Sequence, residues 1–286
     1  MGGQESGTPH FMGELKSILL CTDGSDYSAG AIRAAINLAR ECGTIKLTAL
    51  RVLEFNPEFE TEGQKVVAQI ESEARAHLDL IREAAAEENI ECEAIVRRHD
   101  RPDRAIIEEA EKRRVDVIVM GRRGMTGLKK MLMGSVTAKV IGYAPCKVLV
   151  VPKDATMRGE HVLLATDGSR YSEAAEREML SMGRRCRQFK TIVALSVAQR
   201  EDRLGRAEEN VEKVRRDADR EGLAVEIMTA VGRPQDVIVE TIRQKGIDMA
   251  IMGTHGRTGV DRLLIGSVAE RVIALSPAAV LVAKTS

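Results

Sequence analysis

Two short blocks recur in this 286-residue chain, and both have the residue types of loops that meet a ligand. The first is Thr22-Asp23-Gly24-Ser25, which returns as Thr166-Asp167-Gly168-Ser169. The second is Gly121-x2-Gly124-x9-Gly134-Ser135, which returns as Gly253-x2-Gly256-x9-Gly266-Ser267. Gly121 would let the backbone come close to a bound group, and Gly124 would permit a positive-φ turn. Gly134-Ser135 opens a helix whose free N–H groups and dipole favour phosphate oxygens. Ser135 could donate its hydroxyl to phosphate or serve as an N-cap. The same glycines also read as turn and cap residues with no ligand. Asp23 and Asp167 have two readings as well. Each could cap the next helix, or approach a ribose, an adenine or the water around a metal.

The two blocks are parts of a longer repeat. Leu19 to Ser28 returns as Leu163 to Ser172 with eight of ten positions identical. Val117 to Gly124 returns as Met249 to Gly256. A period of this length indicates a duplicated domain and not a solenoid. The offset falls from 144 at the first block to 132 at the second, because the first copy carries an extra acidic segment, Glu54–Glu62. The expected division is an N-terminal extension over 1–13 without fixed structure, domains over 14–153 and 160–286, and a linker over 154–159.

Each copy alternates strand and helix. In the first, the pattern predicts strands at Ser17–Thr22, Ile45–Leu53, Glu91–Arg97, Val115–Met120 and Lys147–Val151. Helices are expected at Tyr27–Glu41, Thr61–Asn89, Pro102–Arg113 and Ser135–Tyr143. The near-continuous apolar run at Val115–Met120 is what a strand covered on both faces requires. A βαβαβαβαβ order predicts a five-stranded parallel, doubly wound α/β sheet in each copy. With strand order 3-2-1-4-5, strands one and four flank the switch point where such sheets bind ligands. Asp23 and Gly121 would then face each other across one crevice, and Asp167 and Gly253 across a second. Basic residues stand nearby: Arg122, Arg123, Lys129 and Lys130 in the first copy, and His255, Arg257 and Arg262 in the second. They suit a phosphate site or a solvated loop.

Composition narrows the classes. Lys plus Arg equals Asp plus Glu at 43 each, so no basic surface argues for nucleic acid or an anionic membrane. Three Tyr, four Phe and no Trp leave little for base stacking. No apolar run reaches the ~18 residues of a membrane span, and the first ten residues lack the apolar core of a secretory signal. Five cysteines with no C-x-x-C pair read as small buried hydrophobes in a reducing compartment. The expectation is a cytoplasmic protein, with no metal site built from its own side chains.

These residues resemble the universal stress protein family in its tandem form. The Thr-Asp-Gly-Ser turn and the G-2x-G-9x-G-(S/T) motif carry the resemblance. So do the closing segments Ala144-Pro145-Cys146-Lys147-Val148-Leu149-Val150-Val151 and Ser276-Pro277-Ala278-Ala279-Val280-Leu281-Val282. The resemblance implies Rossmann-like domains that bind ATP or AMP, with Mg²⁺ on the phosphates left open. Carried over, Asp23 and Asp167 approach adenosine, while Val52 and Val197 line the adenine pocket. Gly121, Gly124, Gly134, Ser135 and Val136 hold ribose and phosphates, as do Gly253, Gly256, Gly266, Ser267 and Val268. The resemblance also implies pairing of Val148–Val151 with Val280–Val282 about an internal pseudo-two-fold axis. A further homodimer and an unidentified protein partner are left open. The first copy departs from the family at Asp100-Arg101-Pro102, where the second keeps Gly232-Arg233-Pro234. Ala269 also replaces the hydroxyl of Thr137. The implied role is a nucleotide-binding stress-response regulator. A nucleotide-independent scaffold and a slow Mg²⁺-dependent ATPase are the alternatives.

Overall fold

The computed structural model describes residues 15–42, 46–54, 64–124, 133–185, 189–257 and 265–285. The predicted extension over 1–13, residues 55–62 of the acidic insertion, and Lys129, Lys130 and Arg262 lie outside them.

The first copy runs β1 (Ser17–Cys21), a 3-10 turn at Asp26–Ser28, α1 (Ala29–Cys42), β2 (Lys46–Glu54), α2 (Gln64–Glu87), β3 (Cys92–His99), α3 (Pro102–Arg113), β4 (Val117–Gly121), α4 (Ser135–Tyr143) and β5 (Lys147–Val151). The second runs β6 (His161–Ala165), α5 (Arg170–Arg185), β7 (Thr191–Ala198), α6 (Leu204–Arg220), β8 (Glu226–Val231), α7 (Pro234–Gln244), β9 (Met249–Gly253), α8 (Ser267–Leu275) and β10 (Ala279–Ala283). The predicted elements are present, with boundaries moved by a few residues. The helix predicted from Tyr27 starts instead at Ala29, because Asp26–Ser28 winds as 3-10 first.

All ten strands form one sheet, ordered β3-β2-β1-β4-β5-β10-β9-β6-β7-β8. Each half is therefore the expected 3-2-1-4-5 arrangement. Pairing is parallel within each half and antiparallel between β5 and β10. Strands β4 and β9 are buried at every residue, as their unbroken apolar sequences require. One apolar cluster lies on each face of the sheet, and each continues through both copies. The first gathers Leu47, Leu78, Leu149, Leu164, Val211 and Leu281. The second gathers Leu50, Ile118, Ile141, Leu163, Leu195 and Val280.

The seam has an internal symmetry. Leu149 faces Leu281, Val148 faces Val282 and Val150 faces Val280. Leu149 and Leu281 are themselves equivalent positions of the repeat, so a pseudo-two-fold axis passes between them. The polar contacts across the seam do not repeat, however. Lys284, just past β10, donates to the carbonyls of Ile141 and Gly142 at the end of α4. Arg122, just past β4, donates from Nη1 to the Ser276 carbonyl at the end of α8, 3.0 Å away. Both cations satisfy orphan carbonyls at a helix C-terminus, where the dipole favours positive charge. Burial lowers the pKa of each. No helix among the described residues is long and apolar enough to cross a membrane.

Candidate functional site

The Thr-Asp-Gly turns leave the carboxyl ends of β1 and β6. Gly24 and Gly168 take φ of +82° and +69°, a conformation that disfavours a side chain. Each turn is tied down from within. Thr22 Oγ1 accepts from the Gly24 amide at 3.1 Å and lies 2.8 Å from Ser28 Oγ. Thr166 Oγ1 accepts from the Gly168 amide at 3.3 Å and donates to Ser172 Oγ at 3.2 Å. Asp23 and Asp167 each accept the amide of the serine two residues on, both at 3.0 Å. The aspartates therefore close their own turns, with no side-chain cap bond on the helical turn that follows Asp23. One oxygen closes the local turn, and the other faces the glycine loop across the crevice.

The glycine loops meet those aspartates directly. A Cβ on Gly124 would lie 2.8 Å from Asp23 Oδ2, and one on Gly256 would lie 2.7 Å from Asp167 Oδ2. This corrects the expected role of Gly124. It does not hold a positive φ, since the described glycines that do are Gly24, Gly159, Gly168, Gly222, Gly232 and Gly246. Its missing side chain makes room for the carboxylate. Gly121 and Gly253 are required by close approach as well, to the Tyr27 and Tyr171 carbonyls at 2.8 and 2.5 Å from a built Cβ.

Gly134 and Gly266, and not the serines after them, hold the N-cap positions of α4 and α8, with extended φ/ψ and no side-chain cap bond. Ser135 and Ser267 are exposed first residues of their helices. Ser267 lines the crevice of the second copy. Arg122, which suited either a phosphate site or a solvated loop, turns to the seam.

In the second copy these parts surround a cavity of about 290 Å³. Its floor is Leu195, Ser196 and Val197 of β7, and one wall is Met252, Gly253, His255 and Gly256. Thr166 and Asp167 close one side, and Gly266, Ser267 and Val268 the other. Of the sequence-predicted residues of this copy, every one among the described residues lines the cavity. Sequence reasoning missed Arg203, which precedes α6, the α6 wall of Arg206, Ala207 and Asn210, and also Pro234 and Ile238 of α7. The signal was available: Arg203, Arg206 and Asn210 recur at helical spacing around buried Ala207. Asn210 donates to Ser196 Oγ at 3.1 Å and accepts from Arg257 Nη2 at 3.2 Å. The Arg257 amide donates to Asp167 Oδ2 at 2.9 Å, which pins the loop to the turn. His255 stacks obliquely on Tyr171, centroid to centroid 5.1 Å.

The first copy brings Thr22, Asp23, Gly121, Gly124 and Gly134 together in the same way, with Val52 and Val136 packed on the second cluster. Its interior differs. His77 of α2 reaches Thr22 Oγ1 from Nε2 at 3.1 Å. Burial, and then the nearby Arg51 charge, lower its pKa. Below the ordinary value of 6.5 the unfolded chain therefore takes up a proton that the folded chain resists. Stability contributed at this position is whole above that pH and is lost as pH falls. His77→Asn is expected to narrow the gap between urea midpoints at pH 5 and pH 8, and an unchanged gap would refute this.

Among the described residues no three His, Cys, Asp or Glu side chains gather as a metal site.

Comparison with known proteins places this geometry. A model of the universal stress protein family matches residues 14–152 and again 159–284. The universal stress protein Slr1230 of Synechocystis is 25% identical over 284 residues, spanning 91% of this chain and 96% of its own. The universal stress protein MJ0531 of Methanocaldococcus jannaschii is 35% identical over 142 residues, covering 48% of this chain and 82% of its own. The crystal structure of a universal stress protein from Archaeoglobus fulgidus superposes with a TM-score of 0.76 at 22% identity, covering 96% of this chain and all of that one. Two matches of the family model, one on each copy of the repeat, account for nearly the whole chain, and the protein belongs to the universal stress protein family.

Proposed function

We propose that the chain is a regulator that binds an adenine nucleotide, ATP or AMP, at the carboxyl ends of its parallel strands. The observation that carries this is the cavity of the second copy. At about 290 Å³ it sits at the small end of the ligand-pocket range of roughly 300–1,000 Å³, the size of a nucleoside with its phosphates in the open mouth. Leu195 and Val197 give its floor the apolar surface a base requires, with Ser196 between them bonded to Asn210. Its mouth holds a helix N-terminus and the cations Arg203, Arg206 and Arg257. Asp167 stands at the sugar end. Val197 lines the base, Gly253 and Gly256 bring the loop backbone up to the ribose, and Gly266, Ser267 and Val268 face the phosphates. Any Mg²⁺ rides on those phosphates. The division into domains at 14–153 and 160–286, joined by 154–159, and a cytoplasmic location complete this reading.

The test is the nucleotide released on denaturing protein purified without added ligand, followed by calorimetric titration with ATP and with AMP. Bound adenine nucleotide, or micromolar binding of either, is the expected result. Gly266→Val should weaken binding at least tenfold, because its Cβ would already lie 3.2 Å from the His255 Cα. The φ of −70° there suits any residue, so the fold should persist by circular dichroism. No nucleotide and no titration heat would leave the nucleotide-independent scaffold as the function.

A further inference from the structure

The buried faces of α2 and α6 superpose the two crevices residue by residue. Ala74, Leu78, Ile81 and Ala85 are buried on α2, as are Ala207, Val211, Val214 and Ala218 on α6. This register sets His77 at the position of Asn210, Glu73 at that of Arg206 and Ile70 at that of Arg203. The strands align likewise. Thr22 donates its amide to the Leu50 carbonyl, and Thr166 donates to that of Leu195, so Arg51 stands at the position of Ser196.

The consequences are steric and electrostatic. Where the second copy has Ser196, 1% exposed and bonded to Asn210, the first has an arginine and a histidine with more side-chain atoms. The Arg51 guanidinium lies on the turn itself: its Nη1 is 2.6 Å from where a Gly24 Cβ would stand. The second copy also puts a guanidinium there, that of Arg257, 2.7 Å from a Gly168 Cβ. The difference lies in what carries it. Arg257 is on the exposed glycine loop. Arg51 is on β2, which is paired with β1 on one side and β3 on the other. A loop can carry its arginine out of the crevice bodily, whereas the interior strand fixes the Arg51 backbone and leaves only side-chain rotation to move the guanidinium.

The rim differs in the same sense. Arg203 and Arg206 favour a polyanion at the second crevice, whereas Ile70 and Glu73 offer it no cation at the first. The turns before α3 and α7 are two residues each, Asp100-Arg101 and Gly232-Arg233. His99, the last residue of β3, accepts the Arg101 amide at 2.9 Å beside Asp100. An acid therefore stands where the second copy has glycine.

We infer that the chain takes one nucleotide, in the second copy, and that Arg51 and His77 hold the first crevice closed. This rests on the nucleotide reading proposed above. The first copy is then a folded partner whose crevice is filled by its own side chains.

Titration of the full chain with ATP and Mg²⁺ tests it. The wild type is expected to bind one equivalent, and Gly266→Val none. Arg51→Ser with His77→Asn writes the second copy's residues into the first. It should raise the stoichiometry to two, and in the Gly266→Val background restore one. Arg51→Ser alone, which leaves His77 bonded to Thr22, should give a second and weaker equivalent, so the inference does not depend on the double variant folding. Two equivalents in the wild type, one remaining in Gly266→Val, or no gain in either Arg51 variant would overturn the inference while leaving nucleotide binding intact. No binding by any variant would overturn both.

Discussion

Gly30→Ala is expected to destabilise the protein by about 2 kcal/mol or more, although alanine is the better helix former by about 1 kcal/mol. Gly30 is in α1, where the propensity gain alone would predict a more stable chain. Packing decides the sign. A Cβ at Gly30 would lie 2.0 Å from the Pro152 carbonyl oxygen and 3.0 Å from that of Lys153. Both obstacles are backbone, so no rotamer relieves them. Either α1 or the segment leaving β5 must move. That segment is anchored by Arg33 Nη2 on the Lys153 carbonyl at 2.6 Å and by Lys153 on Asp26 at 3.0 Å. Moving it breaks those contacts as well. The equivalent residue of the second copy is Ala174, buried in the first cluster. Ala174→Gly should therefore also destabilise, by about 1 kcal/mol. Urea unfolding of the two variants checks this. A more stable Gly30→Ala chain would show that the segment yields freely.

The second large effect concerns the seam. Leu149 and Leu281 are fully buried, directly opposed and in one cluster. Leu149→Ala and Leu281→Ala should each cost about 2–5 kcal/mol, through lost burial and the cavity left behind. The two side chains sit close enough to couple. The double variant should thus lose less than the sum of the singles, by about 0.5–3 kcal/mol. Both copies should unfold in one transition, since each apolar cluster runs through the seam. Additivity within about 0.5 kcal/mol would mean that the copies do not share a core at this point.

Much of this architecture was legible in the sequence. The repeat gave two domains, and the unbroken apolar run of Val117–Met120 marked a central strand. The seam that β5 and β10 make was implied by the family resemblance of the closing segments. What was legible in the site was position more than cause. Gly124 was expected to serve a turn, yet it serves Asp23, a hundred residues away, and no local pattern announces such a contact. Arg122 lies inside the motif and suited either a phosphate or a solvated loop, but a helix end from the other copy claims it. The contrast between Arg51 and Ser196 was hidden for a different reason. The insertion after β2 shifts the offset between copies from 145 at Arg51 to 133 at His77. The correspondence emerges only when the buried faces of the helices fix the rotation of each.

The seam has one more implication. In a two-fold dimer of identical chains, any contact residue must serve on both sides of the axis, so the surface must be complementary to itself. Joining the halves by a short linker removes that demand, and keeps the second half at millimolar effective concentration. The polar contacts across β5 and β10 show this freedom in use. Lys284 caps α4, while its counterpart is Pro152. Arg122 caps α8, while its counterpart is Thr254. Lys147 pairs with Glu178 of α5, while its counterpart is Ala279. Covalent tethering has let each half specialise against the other. A separated first half would keep the self-complementary apolar edge of β5 and lose these polar mates.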